Sequence, residues 1–288
     1  MDFIHGHLHV EGGLRFDEFR FLVDDMVTQA DSGIETAGRV QPKASVAYTP
    51  TDRLPTTFYF NYGRGIASQD ARGIIENPSA PRISTTDFYQ LGNAINLRRW
   101  SVSVDAFLID RSNEQVYIPD DGTIEFAGPT RSYGWEAKTS VQLTESLSAS
   151  GGLTQVSNAF YRATFPIVYV DSAPHTVANA SLTLAPWHGF TGSVRYRHTS
   201  NYRLDGEDAN LRASGLDVVD VSMTKRIRSW VDFNLSVDNI TNKQYYETQN
   251  YFESRVAPGD PAIYRIHATP GYPVTVTAGL TFRLRPKS

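Results

Sequence analysis

The chain has 288 residues, and 27 Lys and Arg against 31 Asp and Glu give a net charge of −4. This balance lacks the basic excess of a polyanion binder, so we expect no nucleic-acid partner. Cysteine is absent, which excludes disulfide frameworks, thiolate metal sites and thiol catalysis. Apolar runs reach only four residues, as in Ile167–Val170, whereas a membrane helix needs about 20. These properties exclude a helical membrane protein.

Apolar and polar residues alternate through most of the chain, which predicts β-strands. The first clear strand contains Leu8 to Phe16, and the last contains Val274 to Leu284. We count about 12 strands, with predicted starts near residues 5, 40, 56, 84, 98, 130, 146, 175, 190, 215, 230 and 272. One face of each strand is apolar, and the other is polar and often charged.

Short and long connections alternate between these predicted strands. The long ones fall at roughly 25–39, 64–83, 111–129, 158–174, 199–214 and 240–271. Outer-membrane barrels have short periplasmic turns, long extracellular loops and aromatic girdles at both interfaces. Aromatic residues lie near several predicted strand ends: Tyr133, Trp135, Tyr196, Trp230 and Tyr272. The predicted fold is therefore all-β, with antiparallel transmembrane β-barrel strands.

Two other interpretations remain open at this point. A soluble β-rich binding protein with one wet sheet face would show the same alternation. A self-contained 12-stranded translocator or pore would show both the alternation and the loop lengths.

Several motifs then resemble a known family, the TonB-dependent outer-membrane receptors. The segment Val237–Tyr246 resembles the penultimate strand and following loop of these receptors, and Pro270–Pro273 followed by Gly279–Leu284 resembles the turn into their last strand. Upstream resemblances lie at Gly12–Asp17, Gln41–Ser45 and Tyr59–Gly65. The resemblance extends over essentially the whole chain. Two departures are Val274, where the family has Arg, and the tail beyond Leu284.

The resemblance implies a barrel in the outer membrane of a Gram-negative bacterium, in contact with lipid. Receptors of this kind have about 22 strands and a plugged lumen. We expect residues 1–288 to be the C-terminal portion of such a barrel, with the plug domain and the N-terminal strands absent. Met1–His5 does not resemble an export signal. TonB would act only through the absent plug.

The resemblance also implies uptake of a scarce small ligand, which is a ferric siderophore, another metal chelate or an oligosaccharide. We expect no enzyme activity and no cofactor. Aromatic and Arg side chains suit planar or anionic ligands, which makes the long loops the candidate site. The candidate residues are Tyr202, Arg203, Asp205, Tyr245, Tyr246, Arg255 and Arg265. The alternative is that these residues are solvated and pack on one another.

Two clusters carry possible metal ligands. Asp205, Glu207 and Asp208 offer hard oxygens for calcium, but their spacing does not match an EF-hand, which favours a plain acidic turn. His5, His7 and His9 share one face of the first strand and could bind zinc. Polar residues are expected on the lumen face of a barrel in any case. The sequence therefore predicts no metal site.

Overall fold

The computed structural model describes residues 2–4, 6–51, 53, 55–77, 79, 81–118, 123–257 and 259–283. Strands make up most of this part of the chain. They are β1 (Asp2–Phe3), β2 (Leu8–Val23), β3 (Gly33–Tyr48), β4 (Thr56–Ser68), β5 (Ile83–Asn96), β6 (Trp100–Ile118), β7 (Thr123–Gln142), β8 (Leu147–Tyr161), β9 (Thr176–Trp187), β10 (Phe190–Thr199), β11 (Tyr202–Arg203), β12 (Arg212–Ala213), β13 (Leu216–Arg228), β14 (Val231–Asp238), β15 (Tyr246–Ser254), β16 (Ile263–Pro270) and β17 (Thr275–Phe282). One short helix, α1 (Ala71–Glu76), and a 3₁₀ turn at Gln29–Asp31 interrupt them.

Thirteen of these strands form one antiparallel sheet in the order β1 to β10, then β13, β14 and β17. Since β1 has two residues, the sheet contains the 12 long strands that the sequence predicted. Ten of the 12 begin within three residues of the predicted start. β11 pairs with β12 and β15 pairs with β16, and both hairpins lie in long connections. In the described residues, no helix has the length and apolar character needed to cross a membrane.

Two predicted strand starts and one predicted loop were wrong. β3 and β7 begin at Gly33 and Thr123, seven residues before their predicted starts. Most of the predicted loop at 111–129 is strand, because β6 continues to Ile118. Backbone pairing continues through these stretches, with Gly33 opposite Val23 in β3 and Thr123 opposite Ile118 in β7. Strand pairing therefore extends beyond the residues at which the side-chain pattern placed the strand starts.

Five of the six predicted long connections are confirmed as long, and the sixth, predicted at 111–129, is shortened because β6 continues to Ile118 and β7 begins at Thr123. Short connections at 49–55, 97–99, 143–146, 188–189 and 229–230 lie at one end of the strands. Long connections at 24–32, 69–82, 162–175, 200–215 and 239–274 lie at the opposite end. This asymmetry gives the sheet a short-turn end and a long-loop end.

Strand register places the apolar residues in continuous rows across one face of the sheet, which we call the apolar face. One row crosses six strands through Val10, Val46, Phe60, Leu91, Ala106 and Trp135. A second row crosses five strands through Leu182, Val194, Val221, Val237 and Val276. Many of these side chains are exposed, and Leu14 on the same face has 79% of its surface accessible. An apolar surface of this extent requires lipid or a partner to cover it.

The apolar face has definite limits along each strand. On β6 it runs from Trp100 to Leu108 and ends at Asp110, which matches the roughly 9–11 residues of a transmembrane strand. Asp110 pairs with Arg131 at 2.7 Å, and the neighbouring Asp87 pairs with Arg64 at 2.7 Å. A row of rings lies directly below these ion pairs, and it contains Tyr62, Tyr89 and Tyr133. Along the strands, apolar residues are thus followed by tyrosines and then by ion pairs, an order that is typical of a boundary between lipid and water.

The opposite face, here the polar face, carries hydrogen-bonded side chains that bridge adjacent strands. Ser45 donates to Asn61 at 2.7 Å, and Asn61 donates to Gln90 at 2.9 Å. Closer to the short-turn end, serines meet in cross-strand pairs with oxygens 2.7–2.9 Å apart: Ser101–Ser140, Ser150–Ser181 and Ser193–Ser222. Polar groups thus satisfy one another on this face, as expected for a barrel lumen.

The sheet has two outer edges in the described part of the chain. β17 pairs with β14 on one side, and its other side has no strand partner there. At the other edge, the short β1 covers only the start of β2, through His9 and Leu8. Unpaired strand edges are not stable in hydrocarbon, where backbone N–H and C=O groups have no water to bond.

Asn239 fixes the path of the long connection between β14 and β17. It is almost inaccessible, and its φ of 50° lies in the left-handed region that asparagine tolerates better than most residues. The amide of Asn239 donates to the carbonyl oxygens of Lys243 at 2.8 Å and Tyr272 at 2.9 Å. Asn242, also left-handed, accepts the Val274 N–H at 3.1 Å. The family-like segment is therefore a clamp that positions the start of β17.

We expect Asn239→Ala to lower the free energy of unfolding by about 2 kcal/mol, since it removes the side-chain donor from two part-buried carbonyls and puts alanine in a left-handed conformation. Denaturant unfolding of the detergent-folded protein measures the change. Asn210→Ala, in an exposed loop, is the matched control and should change stability by less than about 0.5 kcal/mol. Equal stability of the two variants would show that the hydrogen bonds of Asn239 do not stabilise this connection.

Candidate ligand-binding cleft

Three long connections pack against one another above the sheet: 162–175, 200–215 and 239–274. Ser172 donates its N–H to the carbonyl of Arg203 at 2.9 Å, and Tyr169 donates to Gly206 at 3.1 Å. Leu204 and Val218 are almost fully buried beneath this contact. The connections therefore form a packed layer at the long-loop end.

Gln249 joins the β15–β16 hairpin to this layer. Its side-chain amide donates to the carbonyl of Ser214 at 2.9 Å and accepts the Ser214 N–H at 3.2 Å. Its backbone carbonyl accepts the hydroxyl of Tyr202 at 3.1 Å. Gln249 is buried, so these bonds are protected from competition with water.

A cleft of about 300 Å³ lies between the hairpin and the neighbouring loops, and we call it the loop cleft. Its walls are rich in hydroxyl and amide groups, with two tyrosines and one carboxylate. The lining residues are Ser172, Pro174, Thr199, Tyr202, Ser214, Leu216, Tyr246, Glu247, Thr248, Gln249 and Asn250. Such a surface can donate and accept hydrogen bonds and stack on a flat ligand.

Of the seven candidate residues from the sequence, Tyr202 and Tyr246 line the loop cleft. Arg203 lies beside it, with its guanidinium 4.3 Å from the centre of the Tyr169 ring, a cation–π contact. Asp205 accepts the backbone N–H groups of Glu207 at 2.7 Å and Asp208 at 3.2 Å. One oxygen of Asp205 therefore shapes its own turn.

Tyr245 is buried beneath the hairpin. Its ring lies against Gly271, so closely that a Cβ at Gly271 would clash with it. The Tyr245 hydroxyl donates to Glu247 at 2.9 Å, and Glu247 lies 3.6 Å from Arg197. Burial, together with the Glu247 carboxylate, raises the pKa of Tyr245. These contacts give Tyr245 a role in supporting the floor of the loop cleft.

Arg197 places a positive charge below the loop cleft, beside Glu247. Its guanidinium lies 3.5 Å from Asp220 and 3.6 Å from Glu247, and its buried Nε has no hydrogen-bond partner among the described residues. Asp220 also accepts the Asn239 N–H at 3.0 Å. The charges below the cleft are thus linked to the clamp that positions β17.

Arg255 and Arg265 lie away from the cleft lining, on the β15–β16 hairpin. Arg255 is exposed just beyond β15, and Arg265 is half-buried opposite Phe252 in the hairpin register. The imidazole of His267 stacks on Phe252 with ring centres 4.0 Å apart, which stiffens this hairpin. The structure therefore separates the two arginines from Tyr202 and Tyr246.

The described residues contain no group of three or more His, Asp or Glu side chains close enough to hold a metal ion. His5 of the predicted histidine cluster and Leu284 of the predicted last strand lie outside the described residues. His9 is on the polar face, since it shares the parity of Glu11 opposite Ser45, and His7 lies in the turn before β2.

The sequence did not indicate Gln249, Ser214 or Arg197 as members of the site. Polar residues of this kind are common in loops, and nothing in their spacing marks them. They meet because the hairpin folds back over the loop at 200–215, a long-range contact. The one available signal was the spacing of Arg195 and Arg197, which are two residues apart and therefore share the polar face of a strand.

A sheet with one lipid-type face, one hydrogen-bonded polar face and long loops at one end defines the wall of an outer-membrane β-barrel. A family model described as "TonB dependent receptor-like, beta-barrel" matches residues 2–240. The chain belongs to the TonB-dependent receptor family, whose members are outer-membrane transporters. A comparison with curated protein sequences found no match.

Solved structures share the fold. The copper transporter OprC is 15% identical with a TM-score of 0.74, and the match covers 96% of this chain and 47% of OprC. The ferric yersiniabactin uptake receptor FyuA from Yersinia pestis is 16% identical, with a TM-score of 0.72 and coverage of 96% and 43%. The siderophore receptor PiuA from Acinetobacter baumannii is 15% identical, with a TM-score of 0.71 and coverage of 96% and 41%. The chain thus spans less than half the length of these proteins.

The two adjacent tyrosines should respond differently to mutation. We expect Tyr245→Ala to lower the free energy of unfolding by roughly 3 kcal/mol, since it removes a buried ring from Gly271. Tyr246→Ala, at a half-exposed position, is the matched control and should cost less than about 1 kcal/mol. Thermal unfolding in detergent compares the two. A larger loss for Tyr246→Ala would contradict the supporting role of Tyr245.

We expect the loop packing to depend on pH through Asp171. Partial desolvation by the packed loops, with a smaller contribution from Asp205, raises the pKa of the Asp171 carboxyl, although the residue is exposed at the surface. Ionisation therefore costs more in the folded state than in the unfolded state, and this group destabilises the packing as pH rises through its raised pKa. Below the ordinary carboxyl pKa both states are protonated and the cost is absent.

We accordingly expect Asp171→Asn to increase hydrogen-exchange protection of residues 162–175 at pH 7 relative to the wild type. Below the ordinary carboxyl pKa the two proteins should be similar, after correction for intrinsic exchange rates. Asp208→Asn, an exposed carboxylate in the neighbouring loop, serves as the control. Equal protection of wild type and Asp171→Asn at pH 7 would contradict the prediction.

Proposed function

We propose that this chain forms part of the wall of an outer-membrane receptor that takes up a scarce ligand. The ligand classes are a ferric siderophore, another metal chelate or an oligosaccharide. TonB energises the uptake through a plug domain carried by another part of a longer protein. The chain itself catalyses no covalent reaction.

The observation that carries this proposal is the register of the sheet. It aligns apolar residues, many of them exposed, into rows across 11 of the 12 long strands and sets a hydrogen-bonded polar surface behind them. A soluble β-rich binding protein would leave this apolar face in water, which is unfavourable. The long loops at one end then supply a ligand surface on the extracellular side.

The two edges of the sheet support a larger barrel over a closed 12-stranded pore. Among the described residues, β17 and most of β2 have no strand partner on their outer sides, and further strands would pair these edges in hydrocarbon. Coverage of less than half of each similar receptor agrees with this interpretation. We therefore propose residues 1–288 as the C-terminal portion of a barrel of about 22 strands.

The loop cleft supports a ligand that is rich in oxygen atoms and partly planar. Its hydroxyl and amide groups suit such a ligand, and Tyr202 and Tyr246 offer aromatic surfaces. Arg203, Arg255 and Arg265 add positive charge around this end of the sheet, which favours an anionic chelate. OprC is named for copper, and FyuA for ferric yersiniabactin.

Folding and binding in detergent test the proposal. We expect the protein to require detergent, to migrate faster on a gel before boiling, and to bind a ferric catecholate complex, measured by quenching of tryptophan fluorescence. Tyr246→Ala should weaken this binding by about tenfold, which corresponds to about 1.4 kcal/mol.

Arg53→Gln, in a turn at the opposite end of the strands, is the control and should bind as the wild type does. A monodisperse β-protein in plain buffer would overturn the membrane assignment. Detergent folding without binding of ferric catecholate, copper(II) or oligosaccharide would overturn the receptor assignment.

A further inference from the structure

An apolar groove lies on the apolar face near the short-turn end, between β9, β10 and β13. Its volume is about 480 Å³. Leu182, Leu184, Val194, Val221 and Met223 form its sides, and Trp187 and Phe190 form its mouth. We call it the Gly192 groove, because Gly192 lies at its floor between Leu184 and Met223 in the register.

The backbone requires glycine at this position. A Cβ at Gly192 would lie 2.6 Å from the carbonyl oxygen of Ser222, closer than real side chains come to backbone. The pairing of β9 with β10 also shifts register between Phe190 and Gly192. The absence of a side chain leaves a depression in a face that larger side chains cover elsewhere.

A cation is fixed at the mouth of the groove. The Lys225 ammonium lies 3.7 Å from the centre of the Phe190 ring and donates to the carbonyl of His188 at 2.8 Å. His188 and Gly189 both have positive φ, so a tight two-residue turn presents that carbonyl. Lys225 is therefore held in one position by contacts on two sides.

This charge has no acidic neighbour on its own face. Among the described outward positions of β9, β10, β13 and β14, the nearest acidic residue is Asp217, at the other end of β13. Arg226 lies on the polar face, where it meets Asp232, and Arg228 is exposed near the turn into β14. Trp187 and Trp230, both about half exposed, mark the same level of the sheet.

We propose that the Gly192 groove binds one anionic glycerophospholipid of the periplasmic leaflet. An acyl chain occupies the groove, and the phosphate lies against Lys225 and the exposed end of β13. The apolar lining fits the chain, and the unopposed cation complements the headgroup charge. This inference depends on the membrane placement in the proposed function, which puts short turns on the periplasmic side.

Native mass spectrometry of the detergent-purified protein tests the assignment, with phosphatidylglycerol and phosphatidylcholine of identical acyl chains as probes. We expect retention of one phosphatidylglycerol in preference to phosphatidylcholine. Lys225→Gln should reduce this preference about fivefold, the effect of one cation near an anionic lipid. Arg53→Gln, at the same end but outside the groove, should keep the preference.

A second pair of variants tests the groove itself. Val194→Trp fills the groove from a lipid-facing position and should abolish retention of the tightly held lipid. Val276→Trp is the matched control, because Val276 lies in the same apolar row on β17, outside the groove. Equal effects of these two variants, or equal retention of both lipids by the wild type, would overturn the lipid site. Folding without detergent would instead overturn the proposed function.

Discussion

The two faces of the sheet are chemically opposite, and the rest of the structure depends on this opposition. Side chains in a strand point alternately to the two faces, so pairing in register propagates the pattern from one strand to the next. A slip by one residue between β10 and β13 would send Val221 to the polar face and Asp220 to the lipid. The pairs that bridge strands on the polar face, such as Ser193 and Ser222, also depend on this register.

The long connections are organised by contacts of a different kind. In the strands, backbone pairing sets the position of each side chain. In the loops, a few buried polar groups do so, among them Asn239 at the base and Gln249 at the top. Between them, Tyr245 and Arg197 join the hairpin to the sheet. The loop cleft therefore rests on hydrogen bonds and ion pairs that lie above the lipid-facing region.

The apolar face of the sheet has two boundaries, and they carry different side chains. Ion pairs and tyrosines mark the boundary of the apolar face towards the long loops, and tryptophans with Lys225 mark the boundary towards the short turns. Glycine at position 192 opens the apolar face near the second boundary. Different kinds of side chain therefore lie at the two boundaries of the apolar face.

The sequence by itself determined the strand number, the alternation of connections, the apolar face and the family, because each depends on a local periodicity or a contiguous motif. It misjudged the starts of β3 and β7, because backbone pairing with β2 and β6 extends these strands seven residues beyond the starts that the side-chain pattern indicated. Only the tertiary structure decided that Tyr202 and Tyr246 share a cleft while Tyr245 is buried beneath it. That difference between adjacent tyrosines arises because Tyr245 packs on Gly271 at the base of the hairpin, while Gln249 of the hairpin contacts Tyr202 in the loop at 200–215. No local pattern encodes these long-range contacts.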